Sequence, residues 1–330
     1  MKLFPDKLTS GNEVRIIAPS CSLKIVSQEN INYAIAALEK LGLKVTLGKH
    51  VNEINIFNSS SIESRVEDLH AAFSDKNVKA ILSVIGGSNA NQLLKYIDYD
   101  LIKQNPKIFC GYSDITALQN AIYRKTGLVT YSGIHFSSFA MQKGLIYCLE
   151  YFHKIFFEKA TINIKPSDEW SDDAWFLDQE NRVFHDNIGY IILNPGEAEG
   201  VIIGGNLCTL QLLQGTEYMP SIKDSILFIE ADSITAEHCV VEFDRDLQSL
   251  LHQPDFATVR GLVIGRFETK FGMNLEKLKL LIKSKQELKN IPVIAGADFG
   301  HTMPMFTFPI GGMGRIKASD NSVSIELTKH

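Results

Sequence analysis

Residues 107–133 read KIFCGYSDITALQNAIYRKTGLVTYSG. The short apolar run KIFC ends in glycine. A tyrosine, a serine and an aspartate follow, and an apolar pattern with helical period then runs to Gly127. LVTYSG is a second short apolar run. A strand, a helix and a second strand make a crossover unit whose strands lie parallel.

The same alternation extends to both sides. Upstream, VRIIAPS, LKVTLG and VKAILSVIGG read as strands. Between them SQENINYAIAALEKLG puts Ile31, Ala34, Ile35, Leu38 and Leu41 on one helical face, and Gly42 ends it. SIESRVEDLHAAFSD and NANQLLKYIDYDLI read as two further helices. The expectation is an α/β fold with a mostly parallel sheet. A length of 330 residues suggests two domains. Residues 1–160 form the first. The pattern breaks over residues 161–187, a polar, acidic connector holding both tryptophans, Trp170 and Trp175. Residues 188–330 form a smaller second α/β domain. Its strands are AEGVIIGGN, SILFIEA, RGLVIGRF and IPVIAGAD, with helices at TLQLLQG, around 240–250 and around 275–288. RIKASDNSVSIEL at the end alternates like one exposed strand.

Composition narrows the function. Hydrophobic residues are 45% and charged residues 22%, so large cores can form and wholesale disorder is excluded. A net charge of −5 with scattered Lys and Arg argues against a nucleic-acid polymer as partner. Cys21, Cys110, Cys148, Cys208 and Cys239 form no C-x-x-C pair and read as reduced, buried thiols of a cytoplasmic protein. The N-terminus has no apolar core of a signal peptide, and no apolar run approaches the ~18–20 residues of a membrane span. No H-E-x-x-H, paired-Cys or D-x-D-x-D-G metal signature occurs.

In open α/β sheets, functional groups gather where strands end and helices begin. Five such ends are APSCS (18–22), IGGSN (85–89), CGYSD (110–114), IEAD (229–232) and DFGHT (298–302). CGYSD has the layout of a nucleophile elbow. Its turn would project Ser113, and the helix start would offer N–H groups to an oxyanion. It also fits an ordinary helix start, with Ser113 as N-cap and Asp114 in the first turn. Ile115 replaces the second glycine of G-x-S-x-G, against an ordinary α/β-hydrolase. Gly86 and Gly87 suit an oxyanion hole, a phosphate loop or only a tight turn. A nucleophilic serine needs a base, and the base an orienting acid. His301 and Glu230 suit these roles. On spacing alone His135 competes as the base, and Asp232, Glu237 and Asp298 compete as the acid. Two α/β domains around a cleft also suit a small-molecule binding protein.

Four separated stretches resemble the LD-carboxypeptidase family of serine peptidases, in that family's order. They are SVIGGSNANQLLKYIDYDLIKQNPKIFCGYSDITAL, IIGGNLCTLQLLQGTEY, LFIEAD and AGADFGHTMPMFTFPIGG. The resemblance implies an N-terminal α/β sandwich domain and a smaller C-terminal domain, with the active site in the groove between them. It implies a triad of Ser113, Glu230 and His301, with the amides of Gly87 and Asp114 as the oxyanion hole. It further implies no cofactor and a homodimer. The family has two main activities. One trims the terminal D-alanine from murein tetrapeptides. The other cleaves the amide between an aminoacyl group and a modified nucleotide, giving immunity to microcin C. IGGSNANQLL and SDEWSDDAW resemble the immunity branch, so the expected partner is a small peptide or aminoacyl-nucleotide substrate. On that reading Gly86, Trp170 and Trp175 contact substrate, the tryptophans by stacking on the base. The competing role for both rings is to pin the connector to the body.

Overall fold

The computed structural model of the protein describes residues 2–232, 238–319 and 322–330. The first half follows the alternation of the sequence: β1 (Glu13–Ile17), α1 (Gln28–Lys40), β2 (Lys44–Leu47), α2 (Ile62–Ser74), β3 (Val78–Ser83), α3 (Tyr99–Gln104), β4 (Ile108–Gly111), α4 (Thr116–Thr126) and β5 (Thr130–Ser132). Then come α5 (Ile146–Phe157), β6 (Ile162–Ile164), β7 (Glu169–Trp170) and β8 (His185–Asp186). The second half runs β9 (Ile191–Asn194), β10 (Gly196–Asn206), α6 (Leu207–Gln211), β11 (Ser225–Glu230), α7 (Cys239–Leu251), β12 (Gly261–Gly265), α8 (Leu275–Ser284), β13 (Val293–Ala297), β14 (Phe308–Ile310), β15 (Met313–Ser319) and β16 (Ser322–Lys329).

The strands form two large mixed sheets and a small antiparallel pair, β7–β8. The first has the order β14-β5-β4-β3-β1-β2, with β1 to β5 parallel and β14 antiparallel at the edge. The second has the order β6-β16-β15-β10-β11-β12-β13-β9, with β10 to β13 parallel. Central strands such as IFCG of β4 and SILFIE of β11 are buried along their whole length. Strands covered on both faces read as continuous apolar runs, which is why they stand out in the sequence. Serine and asparagine caps set the helix starts: Ser27, Ser61 and Asn274 each accept an N–H from the first turn of α1, α2 and α8.

Helix α4 joins the two sheets. Thr116 to Ile122 are all buried, including Thr116, Gln119 and Asn120. Buried polar groups need partners. Asn120 Nδ2 donates to Gly204 O of β10 (2.8 Å), and Gln119 Nε2 donates to Gly111 O of β4 (2.8 Å). One helix is thereby tied to the ends of a strand in each sheet.

Several expectations differ from the structure. NANQLLKYIDYDLI is not one helix. Residues Ala90–Leu93 form a 3-10 turn, and α3 starts afresh where Asp98 caps the Leu101 N–H. The C-terminal alternation is not a single exposed strand but the hairpin β15–β16 inside the second sheet. The thiols are not all buried. Cys110, Cys148 and Cys239 are, Cys21 is half-buried and Cys208 is exposed, and all five are free. Helix α5 and strands β9 and β14 have no counterpart among the expected elements. The halves also interleave: β14 of the last quarter pairs with β5, and β6 of the expected connector pairs with β16.

Candidate active site

The site starts at the end of β4. A Cβ on Gly111 would stand 2.3 Å from Ser83 Oγ, so only glycine lets β3 and β4 end this close together. Two residues on, Ser113 has φ 60°, the left-handed conformation that costs a non-glycine residue about 1–3 kcal/mol. The chain then passes through a 3-10 turn, Ser113–Ile115, into α4. The Ser113 side chain caps neither helix. Its Oγ lies 3.0 Å from His301 Nε2 instead. The ordinary N-cap reading therefore gives way to a strained turn that holds a hydroxyl against an imidazole.

His301 follows β13 and Glu230 ends β11. His301 Nδ1 is 2.9 Å from Glu230 Oε2. Glu230 is 2% exposed and its other oxygen accepts from Asn206 Nδ2 (3.0 Å). Asn206 caps α6, and its own N–H donates to Thr116 Oγ1 (3.0 Å), at the start of α4 beyond Ser113. Serine, histidine, glutamate, asparagine and threonine thus close a ring across the two sheets. Asn206 was not among the expected site residues, although it stands at a strand end just after two glycines, where the strand-end rule would have found it.

Burial opposes a charge on His301, but the Glu230 carboxylate and its hydrogen bond outweigh it. With Asp232 and Glu268 beyond, they raise the imidazole to about 9. Asp232 is more than a competitor for the orienting role: its Oδ2 lies 3.3 Å from Nε2, the nitrogen that faces Ser113. Glu237 lies outside the described residues.

The glycine loop after β3 lies against the serine. A Cβ on Gly86 would stand 3.0 Å from Ser113 Cβ and 3.1 Å from its Oγ. Gly87 has φ 152°, and a Cβ there would meet Ser20 Oγ at 2.3 Å. Among the described residues no backbone carbonyl accepts the Gly87 N–H. The Asp114 carboxylate fastens this loop, accepting from Asn89 N (2.9 Å), Ala90 N (2.8 Å) and Ser20 Oγ (2.6 Å). Arg65, 3% exposed, holds the far side through Asn89 Oδ1 (2.9 Å) and Gln92 Oε1 (2.8 Å).

The remaining candidates separate. Asp298 is fully buried, paired with Arg266 (2.6 Å), and accepts from Ser167 N (2.9 Å). It fastens the connector rather than orienting His301. Trp170 is half-buried, with the Arg266 guanidinium over its ring at 4.8 Å and His185 beside it at 4.9 Å. Its neighbour Ser171 exchanges backbone hydrogen bonds with Met303, two residues past His301. Trp175 packs half-buried on a hydrophobic core to which both sheets contribute. His135 and His301 both contact the Tyr112 ring, at centroid distances of 4.0 and 5.4 Å.

A hydroxyl on a base, a base on a buried carboxylate, and a glycine loop packed against the hydroxyl are the parts of acyl transfer. Among the described residues no cluster of three or more His, Cys, Asp or Glu side chains is placed to hold a metal, and no helix is long and apolar enough to cross a membrane.

Known proteins share this architecture. Residues 14–133 match the LD-carboxypeptidase N-terminal domain and residues 199–316 the LD-carboxypeptidase C-terminal domain. YocD of Bacillus subtilis is 55% identical over 99% of this chain and 100% of its own length. An MccF-like protein of Bacillus anthracis has a crystal structure with TM-score 0.98, at 56% identity, covering 99% of this chain and 100% of that one. The microcin C7 self-immunity protein MccF of Escherichia coli is 31% identical, covering 98% and 95% of the two chains. A structure of MccF in complex with glutamyl sulfamoyl guanosine matches with TM-score 0.87, at 30% identity and over 99% and 98% of the chains.

Proposed function

The chain belongs to the LD-carboxypeptidase family, and on that premise we propose that it is a serine-type amidase acting on aminoacyl-nucleotide compounds. The observation that carries this reading is the line Ser113 Oγ–His301 Nε2, His301 Nδ1–Glu230 Oε2, at 3.0 and 2.9 Å. His301 takes the proton of Ser113 as the hydroxyl attacks the amide carbonyl. Glu230 holds the ring and offsets its positive charge. The amides of Gly87 and Asp114 receive the oxyanion. His301 then protonates the leaving nitrogen, and water releases the acyl group from Ser113.

The substrate class follows from likeness to MccF, whose structure holds glutamyl sulfamoyl guanosine. In this reading the Trp170 and Trp175 segment lies near the base, Gly86 lines the acyl side, and the enzyme works in the cytoplasm as a homodimer without a cofactor. The test is a side-by-side assay on an aminoacyl sulfamoyl nucleoside and an L,D-linked murein tetrapeptide, with Ser113→Ala as control. Cleavage of the tetrapeptide alone would move the protein to the cell-wall branch. A covalent serine probe that labels Ser113 separates an enzyme from a binding protein.

A further inference from the structure

His135 is a second histidine beside the reactive serine, and the mechanism above leaves it idle. It follows β5, is 2% exposed, and its ring lies on Tyr112 with centroids 4.0 Å apart. Ser83 Oγ lies 2.9 Å from Nδ1. The other nitrogen, Nε2, faces Gly86. A methyl group on Gly86 would stand 3.5 Å from Nε2 and 3.1 Å from Ser113 Oγ, so both atoms look onto the same face of that glycine.

Nδ1 has Ser83 as its partner, and Nε2, the nitrogen on the Gly86 side, is open to one. Among the described residues none hydrogen-bonds His135 Nε2. Burial, helped by the nearby His301, holds His135 well below the usual imidazole range. The ring is therefore neutral near pH 7 and carries one N–H. In the tautomer in which the Ser83 hydroxyl donates to Nδ1, that proton sits on Nε2. Tyr112 packs tilted on His135 and meets His301 edge-on at 5.4 Å, so one ring braces both imidazoles. In that tautomer Nε2 is a donor and not a second base.

We propose that His135 is a catalytic residue whose Nε2–H donates a hydrogen bond to the substrate's acyl oxygen over Gly86, adding a side-chain donor to the backbone amides that receive the oxyanion. No proton is transferred in this contact. The oxygen gains negative charge as Ser113 adds to the carbonyl, and the N–H stabilises that charge in place. The inference rests on the reading of Ser113 as the nucleophile.

The test is steady-state kinetics on an aminoacyl sulfamoyl nucleoside with His135→Phe, which keeps a ring on Tyr112, and His135→Gln, which keeps a terminal N–H donor. Loss of one oxyanion donor lowers kcat by about 10²–10³-fold. The expected result is that fall in His135→Phe with KM little changed, and recovery of at least about tenfold in His135→Gln. A kcat within about twofold of the parent in His135→Phe would overturn the proposal, as would equal losses in both variants. Ser83→Ala reads the same donor if His135→Phe does not fold, because it frees the tautomer without removing the ring. A clear fall in kcat supports the assignment and an unchanged kcat overturns it. Ser113→Ala run in parallel separates the two claims. If it stays active, the nucleophile reading fails; if it is inactive while His135→Phe is normal, only the role of His135 fails.

Discussion

Replacing Asp232 by asparagine should move the acid limb of the pH–rate profile down by about one pH unit. His301 must be neutral to take the proton of Ser113, and its surroundings raise it to about 9. In the parent protein kcat/KM therefore climbs about tenfold per pH unit until it levels near that value, since kcat/KM reports the free enzyme's essential base. Part of the elevation comes from Asp232, whose carboxylate lies 3.3 Å from Nε2 and is 37% exposed. A charge pair at that distance in water-like dielectric is worth about 1 kcal/mol, or about one pH unit. The neutral amide removes that attraction and leaves Glu230 in place. At neutral pH the variant should be faster than the parent at low substrate, by up to about tenfold. The sign for stability is opposite. A raised imidazole contributes stability that is fully present below its ordinary value of 6.5 and is lost as the pH rises through about 9. The assay is kcat/KM from about pH 6 to about pH 10 for both proteins. Identical limbs, or a parent limb at the ordinary imidazole value, would refute the reasoning.

Three further outcomes are expected. Gly86→Ala places a methyl 3.1 Å from Ser113 Oγ, so turnover should fall at least about tenfold while the melting temperature moves little. Asn206→Ala removes both the cap of α6 and the hydrogen bond to buried Glu230. Urea unfolding should show a loss of about 2–4 kcal/mol, and a change below about 0.5 kcal/mol would mean that Glu230 does not depend on it. Exhaustive chelation with EDTA should leave hydrolysis unchanged, and loss of activity restored by added zinc would overturn the metal-free mechanism.

The fold was most legible where one strand is buried on both faces and one helix shows one apolar stripe. VKAILS and SILFIE are such strands, and 28–40 is such a helix. It was least legible where pairing is distant. FPI of β14 is three residues long and pairs with β5, some 180 positions earlier in the chain. The break within 89–102 was hidden because Asp114 and Arg65 pull Asn89 and its neighbours out of a helix from outside the segment. The strand-end rule brought Ser113, Glu230 and His301 into view, and the structure puts their side chains in line. It could not rank His135 or Asp232. Their parts depend on a ring brought up to Tyr112 and Gly86 and on a carboxylate reaching Nε2, which are facts of three dimensions.

The exchange of edge strands has a consequence for how such a protein can be divided or inherited. The first sheet is finished by β14 and the second by β6, so each half lends the other its outermost strand. A chain cut at the connector would yield two pieces, one with a bare β5 and the other with its own β14 displaced from its seat. Bare edges invite pairing with the wrong chain. The halves are therefore not interchangeable modules: the serine on one and the histidine and glutamate on the other travel as a single heritable unit, and a graft of either half onto another partner would have to carry the borrowed strand with it.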